Sequence, residues 1–187
     1  MRIIGGKFKG KNIFFKKSKV TRPLKDSVKE NIFNILTHSN LLKIDLKDSN
    51  VLDVYSGIGS FGLEAISRGA SKVTFIENYL KTLFILKKNI ANLSISSNVE
   101  LMAEDVFRFL KRNLKSKYEV IFLDPPFNDK TFHKILRIIY KKQIYNKQHV
   151  VIVHREVKMK EKFEDYLDPI IIKNYGRSRI YFFKFLG

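Results

Sequence analysis

The sequence predicts an α/β protein built on an open, doubly wound, mostly parallel sheet. An antiparallel C-terminal hairpin closes the sheet, and a small hairpin-and-helix extension precedes it. Three observations carry this reading. Short apolar or β-branched runs alternate with helical stretches over about 100 residues, the pattern of right-handed βαβ units. A glycine-rich turn, Gly57-Ile58-Gly59-Ser60-Phe61-Gly62, joins the first run of that series to its first helix. Two late runs, 170–173 and 179–185, face each other across Asn174-Tyr175-Gly176-Arg177-Ser178, which is hairpin spacing.

The elements follow in order. Residues 2–4 and 11–15 are expected as two short strands joined through a Gly/Lys turn. Ser27-Val28-Lys29-Glu30 has capping-box spacing, and Val28, Ile32, Ile35 and Leu36 recur at helical intervals, predicting a helix over 27–38. Arg22-Pro23 sets an extended entry to it, because proline disfavours helical backbone in the preceding residue. Strands are predicted at 51–55, 72–77, 99–102, 119–124 and 150–154. Helices are predicted between them at 61–68, 79–92, 105–113 and 131–141. A domain boundary, if there is one, falls near 38–50.

Composition narrows the function classes. The 187 residues hold no cysteine, so a disulfide scaffold, a thiolate metal site and a cysteine nucleophile are excluded. No apolar run reaches the roughly 18 residues of a membrane span. The first residues lack the apolar stretch of a secretion signal. The four histidines show no metal-ligand spacing, and His154, ending a strand, is expected to be structural. A cytoplasmic monomer without membrane or metal partner is the expectation.

Lys+Arg number 36 against 18 Asp+Glu, a formal charge of +18. An even excess would indicate compositional drift; clustering indicates a face for a polyanion such as nucleic acid. The excess is clustered. Residues 1–25 hold nine bases and no acid, residues 50–127 sum to +2, and residues 128–187 to +8.

Gly57, Gly59 and Gly62 match G-x-G-x-x-G, and Glu77 follows Gly57 by 20 residues at the end of the next strand. That spacing also suits a dinucleotide, but Asp53 sits near the end of the first strand, where it would repel a pyrophosphate. It would welcome a ligand carrying an ammonium or sulfonium. S-adenosylmethionine fits: Asp53 for its amino-acid end, Gly57 and Gly59 for close backbone approach, Glu77 for the ribose hydroxyls. Asp105-Val106 after the third strand stands where the adenine would lie, although Asp105 is equally placed to cap the following helix.

The fourth strand ends in Asp124-Pro125-Pro126-Phe127. The prolines stop the strand and stiffen the turn at the sheet edge where α/β folds bind ligands. An exocyclic base amine is a weak nucleophile because its lone pair is conjugated into the ring. Asp124 and the Pro125 carbonyl can accept its two hydrogens and stabilise the charge that develops, while Phe127 stacks on the base.

Asp53…Gly57-x-Gly59 together with Asp124-Pro125-Pro126-Phe127 resembles the amino-methyltransferases that modify exocyclic amines. Met1-Arg2-Ile3-Ile4-Gly5-Gly6-Lys7-Phe8-Lys9-Gly10 resembles the opening of the bacterial small-subunit ribosomal RNA guanine-N2 methyltransferases, the RsmD type. Arg22-Pro23 followed by Val28-Lys29-Glu30-Asn31-Ile32-Phe33-Asn34 resembles that family's second N-terminal signature. The chain departs from the family pattern at Leu24, where Thr is usual, at Lys29, where Arg is usual, and at Ile58, where Ser is common.

The resemblance implies a Rossmann-like class I methyltransferase domain over 41–187, an RNA-binding extension over 1–40, and S-adenosylmethionine as methyl donor. It implies as target the exocyclic N2 of guanine 966 in 16S ribosomal RNA, naked or within an assembling small subunit. Arg2, Lys7, Lys9, Lys11, Arg22 and Lys25 are then expected on RNA. The cofactor set is expected to be Asp53, Tyr55, Ser56, Gly57, Gly59, Gly62, Glu77, Asp105 and Val106. The catalytic turn would be Asp124, Pro125, Pro126 and Phe127. Adenine-N6 methylation uses the same turn and is the alternative. A nicotinamide oxidoreductase and a non-catalytic RNA-binding factor compete from other classes; Asp53 and the little chain left for a substrate domain speak against the first, Asp53 and Asp124 against the second.

Overall fold

The computed structural model describes residues 1–16, 24–42 and 44–187. Arg22-Pro23 therefore lies outside the described residues. Helix α1 spans Asp26–His38, followed by β1 Asn50–Val54, α2 Ser60–Ser67, β2 Lys72–Ile76 and α3 Leu80–Leu93. Then come β3 Val99–Met102, α4 Val106–Lys111, β4 Tyr118–Leu123, α5 Phe132–Lys142, β5 Tyr145–Glu156, β6 Leu167–Tyr175 and β7 Ser178–Phe185.

The seven strands form one sheet in the order β3-β2-β1-β4-β5-β7-β6. The first five in that order are parallel, and β7 pairs antiparallel with both β5 and β6. The chain winds outward from β1 through β2 to β3, then crosses back to β4 on the other side of β1. The ends of β1 and β4 thus flank the switch point, where ligands bind in such sheets. The C-terminal hairpin turns on Gly176-Arg177, with Tyr175 opposite Ser178.

Alternate residues of each strand feed opposite faces. Val51, Phe75, Phe122 and Ile152 pack against α1, α2 and α3, with Phe33, Phe61 and Phe122 in a continuous stack. Leu52, Ile76, Leu123 and Val153 pack against α4 and α5 through Phe109, Ile135, Leu136 and Ile139.

The N-terminal segment shares the first of these cores through the buried Ile3 and Ile13. A buried acid ties it down. Glu64, in α2, accepts the Ile4 and Gly5 amides at 2.8 Å each and pairs with Arg68 at 2.8 Å and Lys29 at 3.5 Å. The Lys29 ammonium also donates to the Arg2 carbonyl, and burial lowers its pKa despite these partners.

Four local expectations are corrected. The two N-terminal strands reduce to a single antiparallel bridge, Arg2 with Asn12, around a 3₁₀ turn at Gly6–Phe8. The Ser27 capping box does not form: the Lys25 carbonyl already accepts from the Lys29 amide, so the helix begins at Asp26 and Ser27 sits within its first turn. Strand β5 starts five residues earlier than the apolar run at Val150, because Tyr145 pairs with Tyr118. The third helix of the sheet domain's series, α4, is shorter than 105–113, since Asp105 caps it from outside.

Candidate active site

Asp53 is the fourth residue of β1 and 1% exposed, and its Oδ2 accepts the Gly62 amide at 2.9 Å. Burial raises its carboxyl pKa well above the usual range. The Gly62 amide opposes that shift, and the charges of Asp124 and Glu77 add to it. Three acids from the ends of β1, β2 and β4 therefore converge on one edge of the sheet.

The chain leaves β1 through Tyr55 at φ 61° and turns through Ser56, whose amide donates to the Ile76 carbonyl. Gly59 has φ 84°, and a Cβ there would meet Leu86 Cδ1 at 2.4 Å. Gly62 packs α2 onto β2, where a Cβ would strike Phe75 at 2.3 Å. Gly57 differs: φ is 56°, yet a Cβ would meet nothing within 4 Å. The space beside Gly57 is open, which is the close backbone approach a cofactor needs.

Glu77 closes this loop. Its Oε2 accepts the Gly57 amide and its Oε1 the Tyr79 amide, each at 2.7 Å. Asp105 is exposed and caps α4 by accepting the Phe107 amide at 2.8 Å, with Val106 buried behind it. The structural alternative for Asp105 is thus realised.

The turn after β4 is held from three sides. The Asp124 amide lies 3.4 Å from the Val54 carbonyl at the end of β1. Asp124 Oδ1 is 2.8 Å from His154 Nδ1, and His154 Nε2 is 2.9 Å from Ser178 Oγ. A carboxylate only accepts, so Nδ1–H donates to Asp124 and Nε2 accepts the Ser178 hydroxyl when the imidazole is neutral. Phe127 meets the His154 ring edge-on at 5.8 Å.

Arg155, fully buried, holds the rest of the turn. Its guanidinium donates to the carbonyls of Pro126 at 3.0 Å and Phe127 at 2.7 Å, and approaches that of Pro125 only to 3.5 Å. Its Nε pairs with Glu161 at 2.6 Å and its plane covers Phe132 at 4.6 Å. Tyr55 links the two loops: its hydroxyl donates to Asp129 Oδ2 at 2.9 Å, and burial with that carboxylate raises the phenol pKa.

The structure thus brings Asp53, Tyr55, Ser56, Gly57, Gly59, Gly62, Glu77, Asp124, Pro125 and Phe127 around the switch point. Arg2, Lys7, Lys9, Lys11 and Lys25 are all exposed, with Lys7 and Lys11 over the Phe8 ring. Arg22 lies outside the described residues. Sequence reasoning missed Arg155, Glu161 and Asp129, and gave His154 no contact with Asp124. The only signal was two polar residues, His154-Arg155, directly after four buried apolar ones on the strand beside β4. Among the described residues no group of three or more acids or histidines could hold a metal ion, and no helix is long and apolar enough to cross a membrane.

Comparison with known proteins places the chain in a family and the fold among solved structures. The family described as conserved hypothetical protein 95 matches residues 1–184. The ribosomal RNA small subunit methyltransferase D of Buchnera aphidicola (subspecies Acyrthosiphon pisum) is 34% identical over 156 residues, 83% of this chain and 78% of that one. The solved Escherichia coli protein yhhF superposes with a TM-score of 0.85 at 24% identity, covering 100% of this chain and 98% of that one. More distantly, an RNA methyltransferase of Salinibacter ruber, solved with S-adenosyl-L-homocysteine, gives a TM-score of 0.63 at 15% identity over 86% and 92% of the two chains. At such identities these two structures establish the shared fold.

Proposed function

The chain belongs to the conserved hypothetical protein 95 family, with the small-subunit ribosomal RNA methyltransferases D, and from that premise we propose that it is an S-adenosylmethionine-dependent methyltransferase of small-subunit ribosomal RNA. We propose further that it methylates the exocyclic N2 of a single guanine of 16S RNA. One observation carries the reading: an Asp-Pro-Pro-Phe turn, locked by His154 and Arg155, stands beside an open glycine loop ringed by acids.

The residues present fit the cofactor. The space at Gly57 admits a ligand against backbone, and Glu77 and Asp105 supply negative charge for a ribose diol and an exocyclic amine. Asp53, Tyr55, Ser56, Gly57, Gly59, Gly62, Glu77, Asp105 and Val106 would hold it. Because Asp53 is buried on Gly62, it acts by fixing α2 and the loop rather than by meeting solvent. When bound, S-adenosylmethionine supplies an electrophilic methyl group.

The chain's own residues prepare the nucleophile. Asp124 accepts one amine hydrogen and the Pro125 carbonyl, the one Arg155 engages least, accepts the other. Both contacts strengthen as positive charge develops on nitrogen. His154 keeps the Asp124 carboxylate aimed, and Phe127, partly exposed, offers a face to the base. Holding these groups in place supplies much of the rate. Residues 1–40 act as the RNA-binding extension, with Arg2, Lys7, Lys9, Lys11 and Lys25 meeting phosphates.

The test is to map labelled methyl groups on ribosomal RNA from a deletion strain after treatment with the protein and S-adenosylmethionine. One modified guanine N2 is expected. Asp124→Ala should lose transfer while retaining cofactor affinity. Methyl on adenine N6, or wild-type transfer by Asp124→Ala, would overturn the reading.

A further inference from the structure

Helix α3 and the N-terminal segment expose apolar side chains that the fold leaves unpacked. Leu80 and Phe84, on the outer face of α3, are 77% and 71% exposed, and Phe14 of the N-terminal segment is 42% exposed beside them. Together with Lys16, Lys81 and Lys88 they line an open groove of about 580 Å³. Contiguous exposed apolar surface of this kind marks a binding face.

Two further facts bear on what it binds. Among the described residues its lining contains three lysines and no acid, and α3 carries Lys81, Lys87 and Lys88 without a single Asp or Glu. Lysine is depleted from the cores of protein interfaces, whereas rings alternating with basic side chains suit a nucleic acid strand. Lys88 Nζ already covers the Phe14 ring at 3.9 Å, the position a base would take on stacking. The groove is also built in place. Asn89, 1% exposed, accepts the Phe14 amide at 2.7 Å, donates to the Phe14 carbonyl at 3.2 Å, and donates to the Ile58 carbonyl of the glycine loop at 3.1 Å.

We propose that this groove is the docking site for an unpaired stretch of the RNA substrate. Bases stack on Phe14 and Phe84, and phosphates lie against Lys16, Lys81 and Lys88. Asn89 sets the spacing between this platform and the glycine loop, so the strand is registered against the catalytic site. The proposal rests on the RNA-methyltransferase reading above. It adds α3 to the RNA-binding surface, which the basic N-terminus alone does not include.

The experiment uses the full chain with two fluorescein-labelled probes, an unpaired oligoribonucleotide of mixed sequence and a fully paired hairpin of equal length. Phe84→Ser removes an exposed ring and leaves the fold intact. It should weaken unpaired RNA between about fivefold and a hundredfold, the loss of one stacked base, and leave the hairpin unchanged. Lys81→Gln with Lys88→Gln should lower the slope of log affinity against log salt by about 1.4 for the unpaired strand. Unchanged affinity in both variants overturns the proposal. So does loss of a small-subunit protein partner in Phe84→Ser with RNA affinity intact.

Because the chain has no cysteine, Phe84→Cys offers a single thiol. It should alkylate freely in the apo protein and be shielded by the unpaired probe. Shielding without RNA overturns the proposal. Absence of methyl transfer by wild-type protein, with groove-dependent RNA binding intact, would count against the proposed function alone.

Discussion

Arg155 gives the sharpest test of how the Asp-Pro-Pro-Phe turn is held. Arg155→Met preserves length and apolar packing against Phe132 but removes every guanidinium donor. Glu161, whose side chain is 9% exposed, then keeps only its 3.2 Å contact with His133. Severing one side of such a buried pair costs about 3–5 kcal/mol. The Pro126 and Phe127 carbonyls also lose their donor. Both residues sit in a partly exposed turn that water can reach, so the lower end of the roughly 1–3 kcal/mol range for an unsatisfied group applies.

The expected destabilisation is therefore about 5–7 kcal/mol, a large share of the roughly 5–15 kcal/mol that holds a typical domain. Adding Glu161→Leu removes the stranded carboxylate and should recover about 2–3 kcal/mol, but it does nothing for the two carbonyls. The double variant should thus fold and bind cofactor normally while turning over at least about tenfold more slowly, a loss of roughly 1.4 kcal/mol of transition-state positioning. Urea unfolding followed by circular dichroism measures the first quantity, and single-turnover methyl transfer to ribosomal RNA the second. A single variant that loses less than about 1 kcal/mol, or a double variant with wild-type turnover, would refute the reasoning.

Two other perturbations follow from the same geometry. Asp53 has its carboxyl pKa raised by burial, so the folded state holds that proton more tightly than the unfolded chain. Stability from this group is therefore fully present below the ordinary carboxyl value of 3.8 and is lost as pH rises through the folded-state value. Asp53→Asn keeps an acceptor for the Gly62 amide. It should match wild-type Tm near pH 4 and exceed it near pH 8; calorimetric Tm values that track wild type at every pH would exclude this. Glu64→Leu strands the buried Lys29 ammonium and frees the Ile4 and Gly5 amides, at an expected cost of about 3–5 kcal/mol. Hydrogen exchange should quicken at both amides, and continued protection there would rule out the anchoring role of Glu64.

What the sequence made legible was whatever repeats with a period or sits in a local motif. The central parallel strands of the sheet are buried on both faces, so Val120–Leu123 and Val150–Val153 stand out as continuous apolar runs, and 51–54 and 73–76 as apolar runs interrupted only by Asp53 and Thr74. The glycine turn and the double proline announce themselves by residue type alone. What stayed hidden depends on partners distant in sequence. Residues 145–149 of β5 are mostly polar and became a strand only because Tyr145 lies beside Tyr118. The Ser27 capping pattern lost to an earlier start at Asp26. Arg155 looked like one more base in a chain with 36, since its meaning comes from carbonyls nearly thirty residues away. Asp105 could have served a ligand or a helix, and only coordinates show its side chain on the Phe107 amide.

The Tyr55–Asp129 hydrogen bond has a thermodynamic consequence. It fastens the loop after β1 to the loop after β4, making the two lips of the cleft one mechanical piece. A ligand that settles one lip therefore settles the other, and the ordering it requires need be met only once. Reciprocity then applies: whatever factor the donor adds to RNA affinity, RNA returns to donor affinity. Tyr55→Phe, which cuts the tie while keeping the ring, would let the two ligands bind as strangers.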